Sequence, residues 1–97
     1  MRQFCQVIDC TLREGNQNPG VSLTLKDTVA IARRLAEFGV GAIEVGHPAA
    51  GEDEFGRAKA VCDLDLGVPV LCHARVRQGD IDAVKRTGAD WVGLFVA

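Results

Sequence analysis

Four runs of consecutive apolar residues alternate with segments of helical character, and this alternation restricts the possible fold of the 97-residue chain most strongly. Strands that are apolar throughout, rather than at every second residue, are typical of a parallel sheet covered by helices. The predicted strands are Phe4 to Asp9, Ala42 to Val45, Val68 to His73 and Trp91 to Val96. The sequence therefore predicts an α/β protein with parallel strands.

Three helices are predicted between these strands. The first begins at Thr24, which opens a capping-box pattern, and ends at Gly39. The acidic residues 52–54 favour the first turn of the second helix. The third helix is shorter and ends at Gly88. Strand and helix thus alternate along the whole chain.

A strand–helix unit that repeats about every two dozen residues suits a (β/α)₈ TIM barrel. A whole barrel takes about 250 residues. The chain is therefore predicted to be a single partial domain over residues 1–97, the N-terminal half of such a barrel with about four strands and three helices. Two other interpretations stay open: a truncated gene product, and a chain that completes its sheet with a partner.

The composition excludes several classes of function. With 47% hydrophobic and 25% charged residues, the chain resembles an ordinary globular protein. A net charge of -2 and the lack of a basic cluster argue against a nucleic-acid partner. No apolar run approaches the roughly 20 residues that span a bilayer, and the N-terminus has no signal-peptide core. The four cysteines show no Cys-x-x-Cys spacing, so we expect reduced thiols in the cytoplasm.

Polar side chains crowd the segment that follows the first predicted strand. Barrel enzymes carry their active sites at this end of the strands. The carboxylate of Glu14 could bind Mg²⁺, Mn²⁺ or Zn²⁺. Arg13 stays protonated, so it can stabilise an oxyanion but cannot act as a base. Gln17, one helical turn further on, carries both a donor and an acceptor.

The next two strands also end in groups that can bind a ligand. Glu44 ends the second strand, and His47 follows it. His73 and Arg75 end the third strand two residues apart, so on an extended backbone their side chains point the same way. Together they would form a cationic pair suited to a dicarboxylate. For His47, a solvated loop histidine is an equal alternative.

The segment after the first strand resembles the signature of the 2-isopropylmalate synthase and homocitrate synthase family, which are metal-dependent barrel enzymes. The family motif reads roughly Asp-x-Thr-x-Arg-(Asp/Glu)-Gly-x-Gln and then Pro-Gly. This chain matches it at Asp9, Thr11, Arg13, Glu14, Gly15, Gln17, Pro19 and Gly20.

The resemblance implies a Claisen-type condensation of acetyl-CoA with a 2-oxo acid by a metal-dependent homodimer. In this picture Arg13 and Gln17 are catalytic, and Glu14 binds the metal together with a His-x-His pair from a late strand. The chain contains no His-x-His, so we expect it to be inactive alone. From their places at the strand ends we expect Glu44, His47, His73 and Arg75 to bind the substrate. The family commonly has an aromatic or small residue at the position of His47, so this histidine would mark a different side-chain pocket.

The substrate and the reaction leave alternatives open. The His-x-Arg pattern of residues 73–75 resembles homocitrate synthases and favours 2-oxoglutarate over a branched apolar 2-oxo acid. A lyase that cleaves a 3-hydroxy-3-methylglutaryl-type thioester is the first rival. Asn18 fits that lyase, whereas Pro19 and Gly20 favour the synthases. An inactive truncated half barrel is the second rival.

Overall fold

The computed structural model describes residues 6–17, 20 and 23–96, without the side chains of residues 16 and 17. Strands and helices alternate as predicted. The strands are β1 (Ile8–Asp9), β2 (Ala42–Gly46), β3 (Val70–Arg75) and β4 (Trp91–Phe95). The helices are α1 (Thr11–Gln17), α2 (Leu25–Phe38), α3 (Glu52–Asp63) and α4 (Gln78–Thr87), and a 3₁₀ turn spans Pro48–Ala50.

The four strands form one parallel sheet in the order β1-β2-β3-β4. Each strand therefore pairs with its neighbour in sequence, and all four carboxyl ends lie at the same edge of the sheet. This confirms the predicted α/β class, and the arrangement fits the N-terminal part of a (β/α)₈ barrel. Among the described residues, no helix has the length and apolar character that crossing a membrane requires.

The hydrophobic core lies between the helices and one face of the sheet. In β3, buried Val70, Cys72 and Ala74 alternate with half-buried Leu71, His73 and Arg75. The first set joins a core with residues from the other strands and helices, among them Ala32, Ile43, Ala58, Val61 and Val84. The second set lies on the opposite face, which in a barrel is the interior. The alternation of β3 thus separates residues for packing from residues for binding.

Both predicted ends of α2 are confirmed. The Thr24 hydroxyl accepts from the backbone N–H of Asp27 at 3.0 Å, and the Asp27 carboxylate accepts from the N–H of Thr24 at 3.4 Å. These two bonds form the capping box. At the other end, Gly39 adopts a left-handed conformation with φ 93°, which ends the helix and returns the chain to the sheet.

The prediction of three helices was wrong by one, because the segment after β1 forms the short helix α1. The Asp9 carboxylate accepts from the backbone N–H of Thr11 at 2.8 Å, and the carbonyl of Cys10 accepts from the N–H of Glu14 at 2.9 Å. These bonds start a helical turn directly after the strand. Asp9 thus holds this segment by accepting a backbone N–H bond.

The strand boundaries differ from the prediction by a few residues. β3 begins and ends two residues later than predicted, because Pro69 precedes it and Arg75 still pairs with Phe95. Phe4 and Cys5 lie outside the described residues. The other three cysteines, Cys10, Cys62 and Cys72, are free thiols, as expected.

Candidate functional site

The carboxyl ends of the strands bring six of the seven predicted site residues to one edge of the sheet. Arg13 and Glu14 lie in α1, directly after β1. Glu44 lies in β2, and His47 follows it. His73 and Arg75 lie on the same face of β3. The seventh, Gln17, has its side chain outside the described part of the chain.

These side chains form two clusters of charge. The Glu44 cluster consists of Arg13, Glu14, Glu44 and His73. The Asp80 cluster consists of His47, Arg75 and Asp80. The first cluster joins α1, β2 and β3, whereas the second joins the residue that follows β2 to β3 and α4.

One carboxylate oxygen organises the Glu44 cluster. Oε1 of Glu44 accepts a hydrogen bond from Nε of Arg13 and lies 2.6 Å from Nε2 of His73. A carboxylate only accepts hydrogen bonds, so the His73 nitrogen carries the proton in this contact. The Glu44 side chain is 13% exposed, which limits screening by water. A single acid thus ties together α1, β2 and β3.

Arg13 lies between two acids. Its Nη2 is 3.0 Å from Oε1 of Glu14, and its Nε donates to Glu44. Burial by itself lowers the pKa of the Arg13 guanidinium, but the hydrogen bond to Glu44 and the negative charges of Glu44 and Glu14 outweigh it and raise the pKa. Arg13 is therefore a fixed positive charge that cannot serve as a base at any physiological pH.

The Asp80 cluster is built on a fork of hydrogen bonds. Nε and Nη2 of Arg75 donate to the two carboxylate oxygens of Asp80 at 2.8 and 3.0 Å. Nε2 of His47 lies 3.1 Å from Oδ2 of the same acid. Hydrogen bonds from Arg75 hold the pKa of Asp80 well below its usual range, although burial opposes this. Asp80 is therefore ionised in the folded chain at neutral pH.

His73 and Arg75 were expected to form a cationic pair. They share a face of β3, as predicted, but each contacts its own carboxylate, Glu44 for His73 and Asp80 for Arg75. The pair is therefore charge-compensated in the absence of a ligand. The spacing of His73 and Arg75 in the sequence predicted that they share a face. It could not predict their contacts with acidic residues of β2 and α4.

Phe95 of β4 joins the two clusters. Its ring centroid lies 5.3 Å from that of His47 and 6.3 Å from that of His73, with an edge-on geometry in both cases. The neighbouring Gly93 makes room for His73, since a Cβ at this position would lie 3.0 Å from Nδ1 of the imidazole. The predictions from sequence omitted Asp80, Phe95 and Gly93.

A signal for Asp80 was present in the sequence. It lies five residues after Arg75, in the first turn of the helix that follows the strand. An acid at such a place can reach back to a cation at the strand's end. Phe95 and Gly93 gave no comparable signal. An apolar residue and a glycine in a predicted strand indicate a role in packing rather than a role in a binding site.

The metal site predicted at Glu14 is incomplete within the described residues. No group of three or more His, Cys, Asp or Glu side chains that could hold a metal ion occurs there. Glu14 itself is 56% exposed and contacts Arg13. Its carboxylate suits a divalent cation, but one ligand does not make a catalytic metal site.

Comparison with known proteins places these observations in a family. The family model described as HMGL-like matches residues 5–97. The chain is 49% identical over 89 residues to a homocitrate synthase of Pyrococcus abyssi, covering 92% of this chain and 25% of that protein. It is 43% identical over 94 residues to a 2-isopropylmalate synthase of Sulfurisphaera tokodaii, covering 95% of this chain and 24% of that protein.

A 2-isopropylmalate synthase of Saccharolobus solfataricus is 39% identical over 94 residues, with the same coverage of 95% and 24%. The chain thus spans about a quarter of the length of these relatives. The names of these three relatives divide between two synthases.

Proposed function

This chain belongs to the HMGL-like family, and we propose that it forms one wall of the active site of an acyltransferase that condenses acetyl-CoA with a 2-oxo acid. The observation that carries the proposal is the Glu44 cluster at the carboxyl ends of β1, β2 and β3. Barrel enzymes place their chemistry at this end. The synthase names of the relatives support the class of reaction.

Arg13 is the catalytic residue in this proposal. A guanidinium has five N–H donors, and the contacts with Glu44 and Glu14 occupy two of them. The other three can donate to a carbonyl oxygen that gains negative charge when the enolate of the acetyl group attacks the 2-oxo carbon. Because Glu44 fixes Nε, the guanidinium needs no reorganisation as the charge develops. We place Gln17 beside it from the motif alone.

A divalent metal would supply the polarisation of the 2-oxo group, and Glu14 would contribute one of its ligands. The charge of the two clusters supports a cation here. Three carboxylates, Glu14, Glu44 and Asp80, oppose two guanidiniums, so acidic groups exceed the guanidiniums by one. Such a site repels a dianion, whereas a bound divalent cation makes it attractive.

We further propose that the substrate is a 2-oxo diacid such as 2-oxoglutarate. His47 and His73 lie against the ring of Phe95, and Arg75 on β3 is the register partner of Phe95. This group of donors suits a second carboxylate. A branched apolar side chain would remove water from these polar groups without offering them a hydrogen bond, which binding sites penalise.

The test uses a hybrid synthase in which this chain replaces the matching N-terminal quarter of the Pyrococcus abyssi homocitrate synthase. We expect acetyl-CoA-dependent release of free CoA with 2-oxoglutarate. Arg13→Ala should lower kcat by about 100-fold, as the loss of an oxyanion donor does. Glu37→Gln, at an exposed position of α2, is the matched control and should leave the rate unchanged.

A folded hybrid synthase without this activity would contradict the proposal. Cleavage of 3-hydroxy-3-methylglutaryl-CoA by the same hybrid would favour the lyase instead. Turnover by the 97-residue chain alone would contradict our view that the chain is only one wall of the site.

A further inference from the structure

Asp80 is a nearly buried acid with several hydrogen-bond partners. Its side chain is 6% exposed and lies in the first turn of α4. It accepts four contacts: the backbone N–H of Arg75 at 3.0 Å, Nε and Nη2 of Arg75, and Nε2 of His47. The only backbone N–H group from which Asp80 accepts among the described residues is that of Arg75 in β3, outside the helix. The carboxylate therefore contacts Arg75 and His47 rather than the backbone of α4.

The contacts of Asp80 fix a specific edge of each partner. Arg75 is held through Nε and Nη2, so both hydrogens of Nη1 and one of Nη2 remain. Among the described residues, no second carboxylate contacts this guanidinium. His47 is held at Nε2 and packs edge-on against Phe95, which fixes the plane of its ring. Two flexible side chains thus have defined orientations before any ligand arrives.

We propose that Asp80 is a positioning residue that orients Arg75 and His47 to receive the distal carboxylate of a 2-oxo diacid. This inference rests on the proposed function of the site and adds a residue that selects the substrate. Orienting donors in advance lowers the entropy that binding must remove. Because the remaining donors of Arg75 suit a planar carboxylate, the effect falls on diacids and spares substrates with an apolar side chain.

The test compares Asp80→Asn with Asp82→Asn on the same helix. Asp82 is exposed and accepts only from the Gln78 amide at 2.8 Å among the described residues. Asp82→Asn therefore gives the same change of side chain without contact to Arg75 or His47. The first readout is the side-chain Nε–H signal of Arg75 in ¹⁵N NMR spectra of the 97-residue chain. We expect a shifted, slowly exchanging signal in the wild type and in Asp82→Asn, and its collapse onto the exposed Arg33 and Arg34 signals in Asp80→Asn.

The second readout is selectivity in the hybrid synthase. Asp80→Asn should lower kcat/KM for 2-oxoglutarate about tenfold through KM, in line with one charge-assisted hydrogen bond. The value for 3-methyl-2-oxobutanoate should change less than about twofold. Asp80→Glu, which keeps the charge, should recover part of the loss. Arg75→Lys removes the paired hydrogen bonds to Asp80 but keeps the positive charge. It should show the same selective loss of kcat/KM for 2-oxoglutarate, and it provides the test if Asp80→Asn fails to fold.

An unchanged Arg75 signal in Asp80→Asn, or equal losses for both acids, would overturn the positioning role and leave the proposed function intact. A wild-type hybrid synthase that turns over neither acid would instead overturn the proposed function. The two failures are thus distinguishable.

Discussion

Replacing Glu44 by Gln should destabilise the chain far more than an exposed Glu→Gln change. Glu44 is 13% exposed and accepts from both Arg13 and His73, which are each 27% exposed. The amide that replaces it keeps one acceptor oxygen but loses the charge. The variant therefore leaves the Arg13 guanidinium without its closest counter-charge and weakens the bond from His73.

The magnitude follows from two charge-assisted hydrogen bonds. Each is worth about 1.5–3 kcal/mol when shielded. Water reaches about a quarter of both donors, so we discount the sum by more than half, to about 2 kcal/mol. For a domain of this size that corresponds to a fall in Tm of about 10 °C.

The assay is urea unfolding of the 97-residue chain followed by far-UV circular dichroism, with Glu37→Gln as the control on the exposed face of α2. The double variant of Glu44→Gln with His73→Gln completes a thermodynamic cycle. Its coupling energy should be about 1 kcal/mol, as expected for directly contacting groups. A loss of less than about 0.5 kcal/mol, the range of ordinary surface changes, would refute the claim that Glu44 ties the three elements together.

Three further results are expected. Gly39→Ala should cost about 1 kcal/mol in the urea assay, because φ of 93° disfavours a side chain. Contacts with Arg75 lower the folded-state pKa of Asp80, so the stabilisation of the fold by ionised Asp80 is complete above the unfolded pKa of about 4 and is lost as pH falls toward the folded value. The urea midpoint of Asp80→Asn should therefore fall less steeply below pH 4 than that of the wild type. Parallel curves for the two proteins would contradict this. The hydrogen bond with the Cys62 thiol and burial raise the pKa of Cys72, so iodoacetamide should alkylate Cys72 in the unfolded chain but not in the native one, as mass spectrometry of the peptide would show.

The fold was largely predictable because its signals are local. Apolar runs mark the strands, and the Thr24 box and Gly39 mark the ends of α2. The parallel order then follows from the alternation of strand and helix. Helix α1 was missed because its start depends on the Asp9 side chain and the Cys10 carbonyl, and its seven residues are too few for a clear helical period.

The site was predictable in its residues but not in its pairing. Residues at the ends of strands can be read from sequence, so Arg13, Glu44 and His73 could be placed at one edge. That one oxygen of Glu44 contacts both of the other two depends on the spacing of three strands and a helix. Likewise, the choice of Asp80 over the nearby Asp82 as the partner of Arg75 depends on which face α4 presents to β3.

The most direct test of the account is the substrate preference of the hybrid synthase with and without His73. The wild-type hybrid should prefer 2-oxoglutarate to 3-methyl-2-oxobutanoate in kcat/KM. His73→Leu should lower kcat/KM for the diacid at least tenfold, because it removes the polar group that contacts Glu44 and leaves an apolar surface beside Phe95. The ratio should then shift toward the branched acid. An unchanged ratio would contradict the claim that this wall of the site selects a dicarboxylate.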